Sequence, residues 1–140
     1  MASTTKFIAG GVSAYTTCGF TSSDFNSLAN GSFVLSDSVL ANGTNLDLLA
    51  EVSFIVTVGG TTTAGCYLAL WVMPENRDGS TYGDTIGDGS VLPASTYFAG
   101  ACGVKVGVTS GNTIVGTFPR ILLPRDDFKF GLSQHTGVAL

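Results

Sequence analysis

Eight consecutive apolar residues, Cys66-Tyr67-Leu68-Ala69-Leu70-Trp71-Val72-Met73, stop at a proline, Pro74. A run this short with β-branched and aromatic members reads as a strand covered on both faces. Pro74 has no N–H for a sheet ladder, so the strand is predicted to end there. The chain then opens into a Gly-, Asp- and Ser-rich stretch that lasts to Pro93. A loop of that length is uncommon in a compact domain and is usually either functional or disordered.

The rest of the sequence keeps a β rhythm. Phe33-Val34-Leu35 is a short strand, followed by an Asn42-Gly43 turn. From Leu46 to Val58, Leu48, Ala50, Val52, Phe54, Val56 and Val58 point one way, with Glu51, Ser53 and Thr57 opposite beside Leu49 and Ile55. One apolar face and one mixed face is the pattern of a sandwich strand. The Gly59–Gly65 connection predicts that this strand and the Cys66 strand pair antiparallel. Further on, Val104, Val106 and Val108 share a face, Thr113 to Phe118 returns, and Ile121-Leu122-Leu123 sits between Pro119 and Pro124 as an extended or edge piece. Phe128, Phe130 and Leu132 point inward in the last clear strand.

No 3.6-residue periodicity persists long enough to predict a helix. The fold expected is all-β, a two-sheet antiparallel sandwich of the jelly-roll kind, with an immunoglobulin-like sandwich as the alternative. Its core is expected to hold Val52, Phe54, Val56, Leu68, Leu70, Val104, Val106, Phe128 and Phe130. Residues 1–31 read as an N-terminal arm with one short strand near Phe7–Tyr15, and residues 32–140 as the sandwich domain.

Composition bounds the function. Charged residues are 11% of the 140, against roughly 25% in ordinary globular chains. A surface made of Ser, Thr, Asn and Gly solubilises weakly, which predicts that part of it works covered by a partner. The formal net charge is −4 and no Lys/Arg cluster occurs, which argues against nucleic acid. No apolar stretch approaches the ~20 residues of a membrane helix, and the first residues make a poor secretory signal. Cys18, Cys66 and Cys102 are odd in number and far apart. They form neither a metal pattern nor a disulfide framework, which points to a reducing cytoplasm as the place of synthesis.

Catalytic groups are sparse. His135 is the single histidine, and no nucleophile-elbow motif accompanies it. One imidazole cannot supply a cupin-type metal site. Asp78, Asp84 and Asp88 could offer oxygen ligands to calcium, but their spacing fits turn residues better than any calcium loop. Trp71 and Tyr67 could form an aromatic platform for sugar, although their apolar neighbours favour a second buried face. The reading is non-enzymatic, with no catalytic residue, metal or cofactor.

The stretches Trp71-Val72-Met73-Pro74, Arg77-Asp78-Gly79-Ser80-Thr81-Tyr82 and Asp88-Gly89, with Ile121 through Phe130 and Thr136-Gly137, resemble structural β modules of tailed-bacteriophage virions. The chain from Phe33 to Leu140 is similar to the jelly-roll cement (decoration) proteins of phage capsids. That resemblance implies a structural protein, made in the host bacterial cytoplasm, that binds the capsid exterior as a dimer or trimer. Its partner would be the shell of major capsid protein, whose neighbouring subunits it would clamp. The alternative is a carbohydrate- or receptor-binding sandwich from a fibre or tail. Phe7, Ile8, Tyr15, Tyr82 and Ile86, on the segments least committed to the core, are the expected interface.

Overall fold

The structure, a computed structural model, describes residues 4–9, 16–21, 23–43 and 46–140. Eight strands follow in order: β1 Thr4–Ala9, β2 Thr16–Thr17, β3 Phe33–Leu35, β4 Leu49–Thr57, β5 Tyr67–Pro74, β6 Phe98–Gly103, β7 Thr113–Leu122 and β8 Phe128–His135. A 3-10 turn, Ser95–Tyr97, precedes β6. The strands form two four-stranded antiparallel sheets, β2-β1-β4-β7 and β3-β8-β5-β6, packed face to face. The fold is therefore all-β and sandwich-like, as the alternation predicts.

Each strand's burial follows its sequence. Along β4 exposure alternates residue by residue, with Ala50, Val52, Phe54 and Val56 inward. Phe54 meets Phe118 of β7 at 5.6 Å between ring centroids, and Phe128 meets Phe130 at 5.2 Å. Leu68 and Leu70 from β5, with Leu132 from β8, complete the layer between the sheets. A fully buried aromatic in such a layer is worth about 3–5 kcal/mol against truncation to alanine.

β5 is buried on both faces, and its second face has an unexpected cover. Trp71 and Met73 form a separate cluster with Phe33 on the outside of their sheet, against which Tyr82, Ile86 and Tyr97 pack. The long connection after Pro74 thus folds back over the outer face. It is held by its own polar groups. Asp78 Oδ1 accepts from the Ser80 and Thr81 amides at 2.9 Å, Asp84 from Ala94 at 2.8 Å, and Asp88 from Leu35 at 2.8 Å. Gly89 and Phe33 exchange two backbone bonds, which closes the β3 edge. The side-chain bond from Thr81, followed by the two amides, holds the Asp78 carboxyl down at about 2. Asp78 therefore acts as a turn residue, while Asp84 and Asp88 tie the loop to Ala94 and to Leu35.

Three expectations are corrected. β4 and β5 do not pair: they lie in opposite sheets, because the Gly59–Gly65 connection crosses the sandwich instead of turning back. Val106 is exposed, since the strand ends at Gly103 and Lys105, Gly107 and Val108 bond Thr62 instead of a neighbouring strand. Leu48 is exposed because it precedes the strand that would have turned it inward. The early strand expected near Phe7–Tyr15 meets β1 at residues 7–9, residues 10–15 lie outside the described residues, and β1 pairs with β4 along its whole length. Nearby, Cys18 and Phe25 are in the core, and burial pushes the Cys18 thiol well above its ordinary value. All three cysteines are free thiols.

The end of the chain is stitched to residues 27–28. Gln134, fully buried, donates from Nε2 to the carbonyls of Leu28 (2.8 Å) and Val138 (2.9 Å). Its Oε1 accepts from the Thr136 amide at 3.0 Å and hydroxyl at 2.8 Å. A buried amide with every group engaged costs little to bury and fixes one arrangement.

Candidate protein-binding face

The segment between Pro119 and Pro124 builds the most distinctive surface feature. Extended backbone sends alternate side chains to opposite faces, so Ile121 and Leu123 turn into the core and Leu122 turns out. Just before them the ladder slips. Ala50 pairs Ile121 and Val52 pairs Phe118, so Glu51 alone faces both Pro119 and Arg120. Such a bulge bends the strand and re-aims a side chain. Pro119, which has no N–H, is tolerated here because β7 is an edge strand. Arg120 absorbs the extra residue with φ +56°, a left-handed conformation costing about 1–3 kcal/mol outside glycine. The buried Phe118 and Ile121 on either side hold it there.

A second slip faces the first. On β6, Trp71 pairs Phe98 while Leu70 pairs Gly100, which leaves Ala99 as the extra residue. The 3-10 turn then carries the chain away from β5, and the pairing with β6 does not reach Val72–Pro74. Between the two diverging edges lies a cleft of about 490 Å³, with Tyr97 and Phe98 on one wall, Arg120 and Leu122 on the other, and Val72 and Pro74 at its base.

Its rim is apolar and exposed. Phe98 is 47% exposed and Leu122 67%. Leu122 is the register partner of Leu49, itself 44% exposed, and the Leu123 amide bonds the carbonyl of Leu48, 66% exposed, at 3.0 Å. Directly opposite residues bring their Cβ atoms to about 4.5–5.5 Å, so Leu49 and Leu122 are side-chain neighbours. Farther along the same sheet face, Ser53 and Thr117 share a hydroxyl hydrogen bond at 3.0 Å, and Ile55 opposes Val115, both exposed. Among the described residues Arg120 has no carboxylate partner. Scattered exposed apolar residues are ordinary on protein surfaces; a contiguous group marks a contact site.

Of the expected interface residues, Tyr82 and Ile86 lie away from this face. Phe7 and Ile8 are in β1, in register with Val52 and Glu51, and Tyr15 lies outside the described residues. Tyr82 and Ile86 are half-buried against the Phe33–Trp71–Met73 cluster. Tyr82 is further tied by its hydroxyl to Glu75 Oε1 at 3.4 Å and by Lys129 Nζ, 5.4 Å from its ring centre. Desolvation and then the Glu75 charge raise its pKa. Sequence reasoning missed Phe98, Arg120, Leu122 and Leu49. The usable signal was the proline bracket, within which alternation forces Leu122 away from Ile121 and Leu123.

His135 belongs to a different arrangement. Its ring stacks on Tyr67 with centroids 4.4 Å apart, and Nε2 lies 3.2 Å from Ser133 Oγ. That hydroxyl, fully buried, also accepts from Trp71 Nε1 at 3.3 Å. Burial lowers the His135 pKa. The chain of contacts fixes the position of Trp71, which at 6% exposure offers no face to a sugar.

No protein-family model, curated protein or solved structure matches this chain.

Proposed function

We propose that this protein is a non-enzymatic virion component that binds the outside of a phage capsid and cements neighbouring shell subunits, with the Leu48–Leu49–Leu122–Phe98 rim as its contact face. The carrying observation is that rim: Leu49 and Leu122 exposed in register, Leu48 exposed next to them in the chain, and Phe98 exposed across an open cleft with its ring edge-on to Trp71 at 5.3 Å. Low charge supports the same reading, since six basic residues among 140 leave affinity to apolar burial more than to long-range attraction. The resemblance of the Trp71–Asp88 and Ile121–Gly137 stretches to capsid cement proteins supplies the partner. Support for a jelly roll within the sandwich class comes from the connections, because most consecutive strands cross between sheets.

A stable protein contact buries roughly 1,200–2,000 Å² in total. That is more than four side chains provide, so the Ile55–Val115 pair or a second copy in a dimer or trimer would extend the face. Copy number in purified virions tests the role. Hundreds of copies per particle are expected, whereas a handful would point to a fibre or tail part and none would overturn the reading. Leu122→Glu should also cut occupancy on purified shells at least about tenfold, as for a central interface anchor.

A further inference from the structure

We infer that the cleft between Phe98 and Leu122 receives an extended acidic–apolar segment of the partner protein, with a carboxylate on Arg120 and an apolar side chain between Phe98 and Leu122. This rests on the proposed protein-binding role and adds to it the chemistry of what is bound. The volume of about 490 Å³ lies within the range of real ligand sites. Its lining mixes apolar side chains with Arg120, Tyr97 and Thr96, and polar surface is at least as extensive as apolar. A nucleotide or polyphosphate would need several cations or converging amides, and a sugar would need several polar groups. One cation with apolar side chains on both sides suits one carboxylate flanked by hydrocarbon.

Arg120 is suited to that task. A guanidinium binds a carboxylate through two parallel N–H donors, and among the described residues none of this protein's own acids occupies it. The bulge that aims it into the cleft keeps a non-glycine residue at φ +56°. Strain of this kind is retained where the side chain has a use. An extended segment fits because pairing with β6 stops at Trp71, so the base of the cleft at Val72–Pro74 has no strand on that side. The protein as a whole carries a net charge of −4, so an acidic segment would find this spot by its local cation alone.

The test uses the full chain and two fluorescein-labelled, end-blocked peptides, Leu-Asp-Leu-Asp-Leu and its Leu-Asn-Leu-Asn-Leu counterpart, read by fluorescence polarisation. The acidic peptide should bind at least about tenfold tighter, as a charge-assisted pair implies. Arg120→Gln should erase that difference, and Arg120→Lys should retain only part of it. Arg120→Gly, which relieves the backbone, should fold at least as well and still lose the preference. Equal affinity for the two peptides, a preference that survives Arg120→Gln, or no binding of either peptide overturns the inference. The broader role is judged separately. If shell occupancy falls with Leu122→Glu but is unchanged by Arg120→Gln, the capsid-binding role stands and the acidic-segment inference falls. If Leu122→Glu leaves occupancy unchanged, the contact face itself is wrong.

Discussion

Phe54 lies across Gly116, its register partner on β7, with its ring edge where any Cβ on residue 116 would stand. The same Cβ would come within 2.8 Å of Cys102 Sγ. Phe54 is fully buried and has little freedom to retreat, and the half-buried Cys102 packs against the same core. Gly116→Ala is therefore expected to lower stability by about 1–3 kcal/mol through overpacking. Urea unfolding measures it, and the double variant Gly116→Ala with Phe54→Leu should recover part of the loss. An unchanged midpoint in the single variant would mean that the two strands are not in this register.

Gln134 fastens the last residues to residues 27–28. Gln134→Leu keeps the volume but leaves the buried Thr136 amide without its acceptor and removes one of two donors from each of the Leu28 and Val138 carbonyls. An unsatisfied buried group costs about 1–3 kcal/mol, so a loss of about 1–3 kcal/mol is expected. The amides of Ser27 and Leu140, which bond across this junction, should lose hydrogen-exchange protection first. Uniform protection at both would show that the glutamine is not the fastener.

β1 sits inside its sheet, between β2 and β4. Removing residues 1–9 would strip the β4 edge of its partner, and a long unpaired edge invites association with other chains. The truncated protein should unfold at lower urea and form concentration-dependent aggregates by light scattering. A monomeric product of full stability would show that β4 does not need this neighbour.

Much of the fold is legible in the sequence where one side of a strand meets water. β4 is the clear case, because Val52, Phe54 and Val56 alternate with residues that do not need burial. β5 reads correctly as covered twice, yet nothing local shows what covers it: Tyr82, Ile86 and Tyr97 arrive from a stretch with no periodicity. Pairing is the least legible property. The Gly-rich link between β4 and β5 is compatible with a hairpin or a crossover, and only the distant partners β7 and β8 decide. The candidate face was half-legible for the same reason. Alternation shows that Leu122 is outward, but its neighbours Leu49 and Phe98 are far away in sequence.

The burial of His135 gives stability a pH dependence. Its pKa in the folded protein is lowered from the ordinary value of 6.5, so as pH falls the unfolded chain takes up the proton first. Its contribution is full above that value and declines as pH drops below it. Unfolding midpoints should therefore fall between about pH 7 and about pH 5, before ordinary carboxylates titrate. His135→Phe, which keeps a ring on Tyr67, should flatten that decline. Identical pH profiles for the two proteins would remove the histidine from the account.

Leu122→Glu serves the functional test only if it spares the fold. At 67% exposure the side chain gives up little on replacement, and a surface change of this kind stays within about 0.5 kcal/mol. A loss above about 1 kcal/mol would mean that Leu122 packs more firmly than its exposure implies.

The sheet order also sets a timetable for the newborn chain. β3 ends at Leu35, and its neighbour β8 begins only at Phe128. At roughly 5–20 residues per second of translation, that wait is on the order of 5–20 s. Through it Phe33 and Trp71 have left the ribosome without the strand that joins their own strands. The growing polypeptide would depend on chaperone cover during this interval, and slower, cooler expression should raise the soluble fraction more than any change to the finished surface.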